Sequence, residues 1–178
     1  MDDSVFLRLY EEYNQDVFSF LTYLTRNRDI AEDLMHEVYV RVLKSYDSFE
    51  RKSSEKTWLF AIAKNVSIDY FRKQATVKKH THLHFDWETQ ELVAQDRLPE
   101  QLVELDEEKQ LVLEELHSCT GDQKMVILMR FFQDLTISET AEILGWTEGK
   151  VKTTQHRAIK SLQLKVESRL GRKGRLHE

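Results

Sequence analysis

The chain is 178 residues long, 40% apolar and 32% charged, enough to bury a core in one domain or two small ones and unlike a disordered or fibrous polymer. Its one cysteine, Cys119, excludes an internal disulfide and a multi-cysteine zinc site, and with no nucleophile constellation or phosphate-binding glycine loop an enzyme is not expected. The net charge of −5 is unevenly spread, with 11 basic and 13 acidic residues in 1–75, 6 and 15 in 76–144, and 9 and 3 in 145–178, which points to one localised nucleic-acid surface near the C-terminal end.

Five glycines and one proline, with apolar residues recurring at intervals of three and four, predict an all-α protein. No stretch reaches the length of a membrane span, and Met1-Asp2-Asp3 does not begin a signal peptide, so a cytoplasmic location is expected. The first helix is predicted over residues 4–25, where Phe6, Leu9, Tyr10, Tyr13, Val17, Phe20, Leu21 and Leu24 form one stripe. A second runs from Asp29 to Tyr46 and a third from Thr57 to Gln74, with the polar segment from Asp47 to Lys56 as a loop.

On the second helix Ala31, Leu34, Met35, Val38, Tyr39 and Val42 cover an apolar arc, whereas Asp33, His36, Glu37, Arg41 and Lys44 cover a polar one. Val40 projects from the polar arc, an exposed aliphatic suited to protein docking. From Ala75 to about Pro99 the periodicity fades into a linker. His80, His82 and His84 alternate there, but without carboxylate or cysteine at ligand spacing they read as linker and no metal or other cofactor is expected. Helical pattern returns at Leu102–Leu116, Asp122–Phe132, Ile137–Leu144 and Thr147 to about Leu170. The acidic run Glu104 to Glu115 reads as a solvated face or as a partner for the basic C-terminal helix.

The strongest local signal runs from Ile137 to Val151. Two helices crossing steeply need a small residue at their contact, a glycine free to take positive φ and an apolar residue locking the second helix. Ala141, Gly145 and Val151 supply these, and Thr147 is placed to cap the second helix. An ordinary helical hairpin would share the turn but not the sided charge beyond it. Val151, Ala158, Ile159, Leu162 and Val166 fall on one quarter of the next helix, and Lys150, Lys152, Thr153, His156, Arg157 and Lys160 on the opposite half. That is the pattern of a recognition helix, with Thr153, His156 and Arg157 in the turns that meet base edges and the basic residues able to bind phosphate.

With these residues in view the chain resembles a known family. The stretch from Ala31 to Val42 is similar to region 2.2 of the extracytoplasmic-function sigma factors, group 4 of the sigma-70 family. Ser54 to Lys73 is similar to regions 2.3 and 2.4, and Gly149-Lys150-Val151-Lys152-Thr153 with His156-Arg157-Ala158 to region 4.2. The segments Val151 to Arg157 and Phe85-Asp86-Trp87 resemble the sigma-X type of Bacillus relatives.

The resemblance implies a subunit that directs RNA polymerase to promoters of cell-envelope or stress-response genes. It implies a region 2 domain over 1–74, a linker over 75–101 along the polymerase cleft, a region 4 domain over 102–170 and a basic tail over 171–178. It also implies that Asp33, His36, Glu37, Val40 and Arg41 dock on the clamp helices of the polymerase β′ subunit, that the β flap is a further contact, and that an anti-sigma factor is a partner. The family usually has glutamine in place of His36. Both side chains offer a donor and an acceptor, so docking should survive with an added pH dependence.

Phe49, Arg51, Lys52 and Asn65 inherit recognition of the minus-ten element, and Lys150, Lys152, Thr153, His156, Arg157 and Lys160 that of the minus-thirty-five element. For Phe49 a structural role closing the loop is an equal reading. Trp58 begins an apolar stripe with Ile62 and Val66 and is expected in the core, although it and Trp87 could stack on bases. The rival reading is a conventional helix-turn-helix regulator that binds DNA independently of polymerase. It needs a dimer surface or ligand pocket, where the first domain carries polymerase-binding and melting motifs instead.

Overall fold

A computed structural model describes residues 2–79 and 105–175, so expectations for His80, His82, His84 and Trp87 and for the last three residues lie outside the described residues. Within them the chain forms seven α-helices: α1 Asp3–Thr25, α2 Arg28–Ser45, α3 Glu55–Lys79, α4 Glu107–Leu116, α5 Gly121–Ile127, α6 Ile137–Leu144 and α7 Glu148–Arg175. None of them is long and apolar enough to cross a membrane.

Helix ends follow local chemistry. The Asn27 side chain accepts a hydrogen bond from the Ile30 amide at 3.1 Å to start α2, immediately after Arg26 turns the chain at φ 53° and donates its amide to the Thr22 carbonyl at 2.7 Å. A non-glycine residue in that region is strained, and the tight α1–α2 junction holds it there. Asp106 caps α4 through the Lys109 amide at 2.8 Å. Thr120 and Gln123 cap α5 reciprocally, as Thr136 and Glu139 cap α6.

Several boundaries differ from the sequence reading. Helix α3 begins two residues earlier than expected and continues through Lys79, five residues into the expected linker, because nothing after Gln74 breaks a helix before the histidines. The segment expected as a basic tail is also helical as far as Arg175, so α7 spans 28 residues. The expected single helix over Asp122–Phe132 is α5 followed by a π-helical turn, Leu128–Phe132, capped by Gln133, after which Asp134 takes φ 54°. That extra residue per turn sets Phe131 outward and Phe132 half-inward.

Helices α1, α2 and α3 pack as one bundle around Val17, Phe20, Leu21, Val38, Val42, Phe60 and Ala63, all fully buried, with Phe20 and Phe60 edge to face at 5.5 Å. Helices α4 to α7 enclose Leu113, Leu116, Met125, Ile127, Leu128 and Ala158. Cys119 is buried in this second group, in accord with a structural role. The two halves also meet. Tyr23 of α1 lies edge-on to Phe132 at 5.3 Å, and Lys56 of α3 donates to the Gln133 carbonyl at 2.9 Å while standing 3.6 Å from Asp16. Helix α3 runs against α6, and the buried residues of both halves form one continuous cluster.

Candidate nucleic-acid interface and docking grooves

The turn between α6 and α7 is built as its sequence requires. Gly145 adopts φ 67° and its amide bonds to the Glu142 carbonyl at 3.3 Å, while the Trp146 amide reaches the Ala141 carbonyl at 2.9 Å. The Thr147 hydroxyl accepts from the Lys150 amide at 3.2 Å. Val126, Ala141 and Val151 close a small apolar cluster at the crossing, with Ile137, Leu144 and Trp146 around it. Ala158 and Leu162 turn the inner face of α7 into the core. Lys150, Lys152, Thr153, His156, Arg157 and Lys160 are all exposed on the outer face, and the Lys150 ammonium sits 4.0 Å over the Trp146 ring.

Sequence reasoning missed the brace behind this helix. Arg130, in the π-helical turn, donates through Nε to the Gln155 side chain at 2.9 Å and through Nη1 to the Leu135 carbonyl. One guanidinium thereby ties α7 to the loop entering α6. Near the far end of α7, Arg169 pairs with Glu114 and Glu115 of the acidic run.

The loop before α3 holds an aromatic step. Phe49 is half-buried and stacks on Trp58 with centroids 4.8 Å apart, and Tyr46 abuts Trp58 edge-on at 5.8 Å. Trp58 is likewise half-buried, packed against the core as its apolar stripe suggested, and its indole also forms the floor beneath Phe49. Arg51, at φ 55°, and Lys52 are exposed in the same loop, where Lys52 pairs with Glu50. Asn65 is exposed two turns beyond Trp58 on α3, a spacing that puts both on one face of the helix. Lys64 beside it is half-buried, and loss of hydration pushes its ammonium below the usual lysine range.

On the opposite side of the bundle α1 and α2 enclose a groove of about 560 Å³ lined by Phe6, Tyr10, Phe18, Met35, Val40 and Leu43 among others, with His36 at its edge. Val40 is half-buried in this wall and does not project freely, because the tyrosines of α1 and α2 rise beside it. Asp33 and His36 are exposed. Arg41 points elsewhere: it is held by Glu37 at 2.8 Å and by Asp69 of α3 at 3.2 Å. The five residues expected to dock thus divide into a groove wall, an exposed rim and an ion-pair chain to α3. A second groove, of about 510 Å³, lies between α4, the π-helical turn and α7, with Val112, Ile127, Phe131, Ile159 and Val166 in its lining and Phe131 44% exposed. The sequence offered no signal for it, since it depends on three separate segments converging.

Residues 9–77 match the family described as sigma-70 region 2, and residues 116–164 match sigma-70, region 4. Over 165 residues, 93% of this chain and 85% of the relative, the sequence is 46% identical to the ECF RNA polymerase sigma factor SigX of Bacillus subtilis strain 168. This chain belongs to the extracytoplasmic-function sigma factors.

The sigma factor is also 33% identical over 150 residues, 84% of its length and 85% of the relative's, to the RNA polymerase sigma factor YlaC of the same organism. Among solved structures it superimposes on RpoE in a complex with the anti-sigma factor NepR from Bartonella quintana with a TM-score of 0.74 at 24% identity, covering 92% of this chain and 96% of that one. That likeness concerns the fold alone. As a sigma factor the protein directs RNA polymerase to promoters, and the independent-regulator alternative is not favoured. Region 2 corresponds to the α1–α3 bundle, with the aromatic step and the first groove, and region 4 to the half built from α5 to α7.

Proposed function

We propose that this sigma factor works through three surfaces and catalyses no covalent step itself. The α1–α2 groove with its rim of Asp33 and His36 takes the polymerase β′ clamp helices, Val40 supplying an apolar contact; Glu37 and Arg41 support the groove by fixing α2 against α3. Phe49, Arg51, Lys52 and Asn65 take the minus-ten element. A base leaving the duplex loses stacking and pairing, and an aromatic step, a carboxamide and nearby cations replace those interactions. Lys150, Lys152, Thr153, His156, Arg157 and Lys160 take the minus-thirty-five element, the early positions reading base edges and the lysines holding phosphate. The single observation that carries this reading is the outer face of α7, exposed and basic directly behind a helix-turn-helix crossing.

The groove containing Phe131 suits the β flap, an apolar surface beside a DNA-reading helix. Regulation by an anti-sigma factor is part of the proposal, as RpoE is captured with one, and so are cell-envelope or stress-response target genes. The test is order of addition with a labelled promoter, core polymerase and the purified protein. Specific binding only when core is present is expected. Specific binding by the protein alone would return the reading to a conventional helix-turn-helix regulator.

A further inference from the structure

Glu55, the first residue of α3, is gripped from two sides. Arg8 of α1 donates Nη1 to Oε2 at 2.9 Å and Nη2 to Oε1 at 2.8 Å, a two-toothed fork that admits one relative orientation. Arg8 also reaches Glu12 at 3.3 Å. The Tyr46 hydroxyl donates to Glu55 Oε1 at 3.3 Å. Tyr46 in turn holds Phe49 twice: its carbonyl accepts from the Phe49 amide at 2.9 Å, and the rings lie 6.2 Å apart. The Arg8 guanidinium keeps the Glu55 carboxyl below the usual carboxylate range, with a smaller contribution from Tyr46. A continuous path therefore runs from the outer surface of α1 to the ring proposed to meet the displaced strand.

We propose that Arg8 and Glu55 are positioning residues for strand separation, acting through Tyr46 to hold Phe49 against Trp58. The proposal rests on the assignment of Phe49 to melting. The pair is half-exposed, with Arg8 and Glu55 side chains 48% and 26% accessible, and such pairs add little to global stability because water screens them. Their effect is geometric. Without the fork the 46–54 segment keeps its anchor at α3, where the Ser54 hydroxyl accepts from the Thr57 amide at 3.1 Å, but the Glu55 carboxylate that accepts from Tyr46 is no longer fixed in one orientation, and the bracket on Phe49 loosens with it.

The experiment uses holoenzyme assembled with the full chain and Arg8→Ala, Arg8→Lys, Tyr46→Phe, Phe49→Ala or the double variant Arg8→Ala/Phe49→Ala. Permanganate reactivity reports strand opening, while core affinity, closed-complex binding and thermal midpoint are measured alongside. Arg8→Ala is expected to lower opening about tenfold, a loosened contact costing less than the roughly hundredfold of a full 1 Å misplacement, with core affinity and closed-complex binding unchanged. Arg8→Lys recovers only part, since an ammonium cannot form the fork. Tyr46→Phe, which keeps the ring, shows the same kind of defect and stands in if Arg8→Ala folds poorly. The double variant opens no less than Phe49→Ala alone. Normal opening by Arg8→Ala and Tyr46→Phe beside a defective Phe49→Ala would overturn the clamp and leave the melting assignment intact. Normal opening by Phe49→Ala removes the assignment itself, and the clamp with it. Additive losses in the double variant mean that Arg8 acts elsewhere, which also overturns the proposal.

Discussion

The Phe49 ring lies nearly flat on the Trp58 indole, centroids 4.8 Å apart and planes 28° from parallel. A ring supported from beneath on one face is rigid where it is wanted and free on the other, so a base can stack without first ordering a mobile side chain. Phe49→Leu keeps an apolar contact with Trp58 and loses the stacking face. It should reduce open-complex formation by roughly tenfold, within the 1–3 kcal/mol usual for one base on one aromatic, and leave closed-complex binding nearly unchanged. Permanganate reactivity against filter binding of the same complexes checks this, and equal losses in both would assign Phe49 to loop structure.

Val40 sits half-buried in the wall of the α1–α2 groove. Val40→Asp should weaken core binding by about 2 kcal/mol or more, as loss of a central interface contact does, with the thermal midpoint little changed. Asp33→Lys, on the exposed rim, should act more weakly and chiefly at low salt. Titration of labelled protein with core polymerase separates the two, and unchanged affinity for Val40→Asp would remove this groove from the interface.

Arg157 and Lys160 stand three residues apart on the exposed face of α7, close enough to share the DNA and far enough along the helix to touch different parts of it. Arg157→Ala should cost about 1–3 kcal/mol and relax preference at one minus-thirty-five position. Lys160→Ala should weaken all promoters alike and lower the salt slope by about one unit. Holoenzyme binding to single-base promoter variants at several salt concentrations distinguishes them. If both substitutions shift every promoter equally, α7 is only an electrostatic anchor.

Gly145 turns between α6 and α7 at φ 67°, and a Cβ added there meets no atom within 4 Å. Any cost of Gly145→Ala is therefore conformational and not steric, about 1–2 kcal/mol for an L-residue in the left-handed region. Gly145→Asn should cost less, since asparagine visits that region more readily. Denaturant unfolding measures both; equal costs would locate the strain outside the turn.

Burial pushes the Cys119 thiol above its ordinary range, against the smaller opposing pull of Lys165 and Lys124. The stability this contributes is fully present below the ordinary thiol pKa and declines as pH rises through the raised value, because the unfolded thiol ionises first. Thiol reagent at about pH 8 should therefore label the native protein slowly and the denatured protein at once. Rapid native labelling would place Cys119 outside the core.

The helical class, the two-part organisation and the helix-turn-helix are legible in the residues alone, because each rests on short-range rules. A 3.6-residue apolar period, a glycine at a turn and a threonine at a cap state their consequences within a few residues, and the split of charge between Val151 and Lys160 shows which side of α7 faces out. How distant segments act on one another emerges from their packing in three dimensions. Trp58 packs against the core as its own helix implied, but it also floors Phe49, because α2 ends where Tyr46 can pack beside both. Arg41 also pairs with Asp69, 28 residues on, a partner that the pattern of its own helix did not show. The brace from Arg130 to Gln155, the groove around Phe131 and the meeting of Tyr23 with Phe132 depend on where separate helices cross, and a one-dimensional pattern carries no information about crossings between elements far apart in the chain.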